Sequence, residues 1–240
     1  MPLRRSCLQC ETKGPHCFCS LDRVALEKLE GLGHFVRLGA HEPVLREGYA
    51  PEQVYVVCHG TIKLTTSSPD GRLLLLRIVG PGDVLGLAAA LKRSRYEATA
   101  ETLEPCQVKA IPRTQFLLFM EEFQAVSRNS VMAMAREYDS AVLSARRLAL
   151  SSSASAKLAS VLVEWGGLVL AGEHDDHNGR FPNSVRFHMP LTHEELGHMA
   201  GISRETVTRV LSSFRKDGLL HMDGNTLHLK DMEQLRHCAE

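Results

Sequence analysis

Residues 190–220 read PLTHEELGHMAGISRETVTRVLSSFRKDGLL, and the spacing predicts a helix-turn-helix. Thr192 followed by Glu195 is a capping-box pair, so a helix starts there. Gly201 supplies the permissive backbone that a tight turn between helices needs. Ser203 can cap a second helix. Val207, Val210, Leu211 and Phe214 fall at i, i+3, i+4 and i+7, which gives that helix one apolar face. Arg204, Glu205, Thr208 and Arg209 project from the other side, near its N-terminus. In a helix-turn-helix that end meets base edges in the major groove. Arg can grip guanine O6 and N7, Glu can accept from cytosine N4, and Thr can meet a base or a thymine methyl. With Thr192 and Ser203 at the two helix starts, these four residues make up the candidate DNA-binding set. A solvated charged helix is the bland alternative. Against it stand the cap, the glycine turn and the segment after Gly218, LLHMDGNTLHLKD, whose two strand-like runs flank a hairpin turn at Asp223-Gly224-Asn225. The motif is therefore read as a winged helix-turn-helix.

The chain has 240 residues, enough for two domains with separate cores. Lys plus Arg and Asp plus Glu number 28 each. The neutral total argues against a protein that clamps nucleic acid over its whole surface, but not against a local basic patch such as Arg204, Arg209, Arg215 and Lys216. No apolar run approaches bilayer length, and MPLRRSCLQC lacks the apolar core of a signal peptide. The expectation is a cytoplasmic protein without a membrane partner. Seven cysteines, odd in number and clustered, do not suggest a secreted disulfide framework.

Four of them, Cys7, Cys10, Cys17 and Cys19, lie within residues 1–20. Closely spaced cysteines in a cytosolic chain signal metal or redox chemistry, because thiolates on tight loops can share one ion or cluster. An iron–sulfur cluster, structural zinc, metal-free thiol sensing and an unstructured tail with free thiols all remain open on the residues alone. Residues 21–33 predict a short amphipathic helix closed by glycine. From His34 to Pro112 short strands alternate with Gly, Pro and Asp-Gly turns, of which Ser68-Pro69-Asp70-Gly71 is the clearest. That pattern suggests a jelly-roll barrel over a domain spanning 21–120. Residues 113–150 read as helical. Val131, Met134, Tyr138, Ala141, Ala145 and Leu148 alternate by three and four, the spacing of a coiled-coil seam, which fits either a dimerisation helix over 121–150 or a helix packed on its own barrel. Ser151-Ser152-Ser153 breaks the run as a hinge would. Residues 151–240 then form the DNA-binding domain, beginning with a helix over 154–170. His174 and His177 flank two aspartates in a polar loop and are read as surface residues; Cys238 is placed in a tail.

ISRETVTRVL resembles the recognition helix of the CRP/FNR superfamily, the cyclic-AMP receptor and fumarate-nitrate-reduction regulators. The cyclic-AMP receptor pattern is Arg-Glu-x-x-Gly-Arg and the FNR pattern is Glu-x-x-Ser-Arg; this chain keeps Arg204, Glu205 and Arg209 and puts Thr208 at the variable position. Cys58-His59-Gly60-Thr61-Ile62-Lys63 and Gly80-Pro81-Gly82-Asp83-Val84-Leu85-Gly86 match the glycine punctuation of the superfamily's cyclic-nucleotide-binding fold. The resemblance implies an α+β protein: an N-terminal jelly-roll, cyclic-nucleotide-binding-like β-barrel, a long dimerisation helix and a C-terminal winged helix-turn-helix. It implies a homodimeric transcription regulator that binds inverted-repeat DNA with TGA-containing half-sites, has RNA polymerase as a partner, and is not an enzyme. The barrel's His34, His41 and His59 are widely spaced and lack the paired motif of a metal-dependent cupin.

The chain looks closest in type to the FNR group, in which such a segment carries three ligands of an oxygen-sensitive [4Fe-4S] cluster and the barrel carries the fourth. Alignment on Ala110-Ile111-Pro112 puts the expected distant cysteine near Lys109, with Cys106 three residues away. An odd offset on a strand turns a side chain to the opposite face, so Cys106 and a fourth local cysteine both stay open. Cyclic AMP is not expected. Where receptors carry Gly-Glu-Leu and an Arg-Ser pair, this chain has Gly82-Asp83-Val84 and Tyr96-Glu97-Ala98-Thr99, without the arginine that meets the phosphate. The alternative is a regulator gated by a small effector, or by haem (at His59, for instance) or thiols, in which the N-terminal cysteines bind no cluster.

Overall fold

The computed structural model describes residues 6–10, 17–173 and 183–239. His174 and His177, with the loop predicted around them, lie outside the described residues. The chain divides into two compact units, Met1–Ala141 and Val142–Glu240.

In the first unit, α1 (Arg23–Gly31) starts where the Asp22 carboxylate accepts from the Ala25 N–H at 2.8 Å. Eight strands follow: β1 (His34–Leu38), β2 (Pro43–Leu45), β3 (Gln53–His59), β4 (Ile62–Ser67), β5 (Leu73–Val79), β6 (Val84–Leu85), β7 (Thr99–Thr102) and β8 (Cys106–Pro112), with α2 (Leu87–Lys92) between β6 and β7. They pair into two antiparallel four-stranded sheets, ordered β1-β8-β3-β6 and β2-β7-β4-β5. Strand alternation gives each sheet an inner and an outer face. The inner faces enclose Val57, Ile62, Leu64, Val79, Leu85, Tyr96, Cys106 and Val108. The outer face of the first sheet carries Val54, Val56 and Ile111 and is covered by α1, by α3 (Arg113–Glu122), by Val126 and by Phe18. The N-terminal segment thus contributes to the core: Phe18 is fully buried and stacks on Phe116 at 5.7 Å between ring centroids.

The predicted helical stretch over 113–150 is two helices. Phe123 adopts an extended backbone between α3 and α4 (Gln124–Leu150). On α4 the seam positions Val131, Tyr138, Ala141 and Ala145 are exposed, and Met134 and Leu148 are half-buried. At its C-terminal end Arg147 is buried, donating to Glu164 Oε2 at 2.7 Å and to Ser144 Oγ at 2.9 Å.

The second unit continues with α5 (Ala154–Glu173), β9 (Val185–His188), α6 (His193–Ala200), α7 (Arg204–Lys216), β10 (Leu220–Asp223), β11 (Thr226–Leu229) and α8 (Met232–Ala239). Ser153, read as part of a hinge, also caps α5 by accepting from the Ala156 N–H at 3.0 Å. The strands form a sheet in the order β10-β11-β9, and Asp223 pairs with Thr226 across the expected hairpin turn. Cys238 lies on α8 rather than in a tail. This helix is started by Asp231, whose carboxylate accepts from the Gln234 N–H at 2.9 Å, and is held by buried Met232 and Leu235. Among the described residues no helix is long and apolar enough to cross a membrane.

Candidate functional site

The helix-turn-helix is built as its caps dictate. Thr192 Oγ1 accepts from the Glu195 N–H at 3.2 Å, and the Glu195 carboxylate accepts from the Thr192 N–H at 2.9 Å. Gly201 ends α6 in the left-handed region, at φ 66°. Two residues later Ser203 Oγ accepts from the Thr206 N–H and starts α7. Val207, Val210, Leu211 and Phe214 are buried, so the opposite face turns outward. On it Arg204, Glu205, Thr208 and Arg209 are exposed, as are Thr192 and Ser203 at the helix starts.

The six residues do not play equal parts. The Thr192 and Ser203 hydroxyls are engaged in capping their helices. Thr208 Oγ1 donates to Arg204 O at 3.1 Å and lies 2.9 Å from His193 Nδ1. His193, which the motif reading passed over, therefore ties α6 to the exposed face of α7. Glu205 is held below its usual carboxylate range by backbone N–H donation at the helix start and by the Ser203 hydroxyl. It stays an acceptor, which is what reading a cytosine amino group requires.

The second site lies on the first unit. Cys7, Cys10, Cys17 and Cys19 all line one cavity, together with Ser6, Phe35, Val57, Cys58 and Gly82. The space between these walls is small, about 20 Å³. Two short turns present the thiols. One is closed by the Cys10 N–H donating to Cys7 O, and the other by the Ser20 N–H donating to Cys17 O at 3.0 Å. The second turn docks on the barrel through the Phe18 N–H, which donates to Gly82 O at 2.9 Å. Gly82 has to be glycine: at φ 95° an added Cβ would lie 2.6 Å from Cys17 Sγ. On the other side Asn129 Nδ2 of α4 donates to Phe18 O at 2.9 Å and to Ser20 O at 3.1 Å.

The thiols differ sharply in their electrostatics. Burial pushes Cys7 up to about 12, with Lys109 opposing and Glu30 and Cys58 adding to the rise. Glu30 also accepts a hydrogen bond from the Cys7 N–H. A hydrogen bond from Cys19 brings Cys17 down to about 7, and that same bond, reinforced by burial, drives Cys19 well above the ordinary thiol value. Cys106 stands apart on the inner face of β8, where its Sγ donates to Thr61 O at 3.4 Å and to Glu104 O at 3.1 Å. Among the described residues no three His, Cys, Asp or Glu side chains are arranged to hold a single metal ion. Cys58 was missed because a lone cysteine inside QVYVVCHG reads as an ordinary strand residue; its neighbours come from distant parts of the chain.

A two-sheet barrel, a long helix with an apolar exposed stripe and a winged helix-turn-helix define a DNA-binding regulator with a front domain of the cyclic-nucleotide-binding type. The cyclic nucleotide-binding domain profile matches residues 35–123, and the Crp-like helix-turn-helix profile matches residues 156–238. The chain is 25% identical over 239 residues to the nitrogen fixation regulation protein FixK of Bradyrhizobium diazoefficiens, covering 97% of this chain and 93% of that protein. It is 25% identical over 237 residues to the transcriptional activator protein Anr of Pseudomonas aeruginosa, with 93% and 91% covered. A CRP-like cAMP-activated global transcriptional regulator of Mycobacterium tuberculosis is 24% identical over 196 residues, with 82% and 84% covered. The fold is shared with FixK2 of Bradyrhizobium japonicum at a TM-score of 0.73 and 21% identity, over 87% of this chain and 98% of that one. The chain belongs to the CRP/FNR superfamily of transcription regulators.

Proposed function

We propose that this CRP/FNR-type regulator is a cytoplasmic homodimer controlled by oxygen or redox state through an iron–sulfur cluster whose N-terminal ligands are drawn from Cys7, Cys10, Cys17 and Cys19. The observation that carries this reading is the convergence of two separate cysteine turns on one cavity. The donor set fits the group: thiols are the metal-ligating side chains on the cavity wall, and thiolates are the ligands iron–sulfur clusters take. Cysteines of the two turns would hold the cluster, which would supply an oxygen-labile crosslink between them.

The chain's own residues carry the signal onward. Asn129 fastens the Cys17–Ser20 turn to α4, so the position of that turn is felt by the helix whose exposed stripe of Val131, Tyr138, Ala141 and Ala145 pairs two copies. Two recognition helices reading one inverted repeat must sit about 34 Å apart. A bound group shifts this arrangement only by its differential affinity for the two states. Arg204 reads a guanine, Glu205 a cytosine on the opposite strand, and Arg209 a guanine or phosphate, at half-sites containing TGA. RNA polymerase is the partner at the promoter. Cyclic AMP has no part in this reading: Glu97 stands where a phosphate-binding arginine would, ion-paired to Lys92 at 2.6 Å.

Anaerobic purification tests the proposal. Brown protein containing iron and sulfide, whose affinity for inverted-repeat duplexes falls in air, supports it; colourless protein with oxygen-indifferent binding refutes it. A second reading, metal-free thiol sensing, draws on the lowered Cys17 thiol. It calls for metal-free protein whose DNA binding responds to thiol oxidants.

A further inference from the structure

We infer that Cys58 is the barrel's ligand to the centre held by the N-terminal cysteines, and that Cys106 is not a ligand. The inference rests on the cluster reading above and deepens it.

Cys58 lines the same cavity as the four N-terminal thiols, yet comes from β3, some forty positions further along the chain. Alternation from Val54 and Val56 sets Cys58 on the outer face of the sheet, where its Sγ donates to Val56 O at 3.6 Å, and two further features mark the position. The first is register. Val57 pairs with Val108 and His59 with Gln107, so β3 advances two residues while β8 advances one. Cys58 is the residue at which the register shifts, a bulge-type irregularity of the kind that recurs beside functional sites. The second is charge. Phe35, Lys109 and Val56 form one cross-strand row on the outer face of the sheet. Lys109 is only 1% exposed; its Nζ donates to Glu30 O at 3.1 Å and lies 4.4 Å from the centre of the Phe35 ring. Phe35 is itself part of the cavity wall. A buried cation beside clustered thiols offsets the negative charge of a metal–thiolate centre, which would otherwise be costly to bury.

Lys109 occupies the position where the FNR-type alignment expects the distant cysteine, and a lysine cannot serve as that ligand. The structure supplies a thiol instead from the adjacent strand. Cys106, on the other face of β8, packs among inner-core residues and is directed at Thr61 O and Glu104 O. Ligation by Cys58 ties the centre to β3. Val57, its neighbour, exchanges backbone hydrogen bonds with the Gly82–Asp83 turn on which Phe18 docks. The barrel and the cysteine turns then move together. Five thiols around a four-ligand centre leave one N-terminal cysteine dispensable.

The test uses the full-length chain, anaerobically purified and reconstituted with ferrous iron and sulfide. Wild type is expected to hold about four irons per chain, Cys58→Ala under about one, and Cys106→Ala the wild-type amount. One of the four single N-terminal cysteine variants keeps its iron. Loaded wild type with fully loaded Cys58→Ala overturns the Cys58 assignment alone, whereas wild type that takes up neither iron nor sulfide overturns the cluster reading and this inference with it. Should Cys58→Ala fail to fold, iodoacetamide labelling of wild type decides. Cys58 protected when loaded and labelled after the metal is stripped supports the assignment; equal labelling in both states overturns it.

Discussion

Phe18→Ala separates the anchoring of the cysteine turn from the stability of the barrel. The Phe18 ring is fully buried and stacks on Phe116 at 5.7 Å. Removing such a ring costs about 3–5 kcal/mol when the site cannot collapse. Among the described residues the Cys17–Ser20 segment is also held by the bond to Gly82 O and the two from Asn129. Each contributes about 1 kcal/mol net. The turn therefore opens locally before the barrel unfolds. If about 3 kcal/mol of the loss falls on that local step, the opening constant rises on the order of 100-fold. The assay is thiol alkylation of metal-free, reduced protein followed by mass spectrometry, with inner-face Cys106 as the reference. Cys17 and Cys19 should label on the order of 100-fold faster in the variant, with Cys106 unchanged. Labelling of Cys17 and Cys19 within about twofold of wild type would refute the argument that this ring holds the turn shut.

Arg147→Met should destabilise the second unit by roughly 2 kcal/mol in urea unfolding, because Glu164 loses its partner while keeping some access to water. Adding Glu164→Gln should restore part of the loss, and strict additivity of the two changes would show the pair is not coupled. In metal-free protein Cys17 should gain reactivity toward iodoacetamide as pH rises through about 7. A thiol lowered on folding stabilises the native state above the ordinary thiol range, and this contribution fades as pH falls through about 7; a labelling midpoint near 9 contradicts the Cys17–Cys19 hydrogen bond. If the cluster reading proposed above holds, Asn129→Ala should leave iron content intact while weakening the oxygen response of DNA affinity, and an unchanged response removes Asn129 from the signal path. Arg204→Ala should cost about 1–3 kcal/mol of DNA affinity and relax choice at one base pair, measured on a panel of half-site variants. Uniform weakening across the panel would mark Arg204 as a phosphate contact.

The DNA-reading half was legible because its determinants are local. The Thr192 and Ser203 caps, Gly201 and the Val207–Phe214 stripe sit within two turns of the features they fix. The barrel was legible as a rhythm of turns, although the break at Phe123 and the final helix α8 were not read from it. The cysteine site was only half visible. CLQC and CFC announce metal or thiol chemistry, but the cavity also needs Phe35, Cys58 and Gly82 from separate strands and turns. Cys58 shares a face with Val54 and Val56 by alternation, but that this face meets the cysteine turns is settled only once the sheet is covered. The burial of Lys109 against Phe35 is set by strand pairing, which spacing along the chain does not show. Parity along β8 did separate Cys106 from Lys109 in advance, since their odd offset is a property of any strand.

The fit of Cys17 against Gly82 has an evolutionary corollary. A descendant could acquire a single methyl group at Gly82 and retain all seven cysteines, yet that carbon would crowd the Cys17 sulfur off its seat. Tallying thiols across relatives would miss the change. The residue to inspect first has no side chain at all.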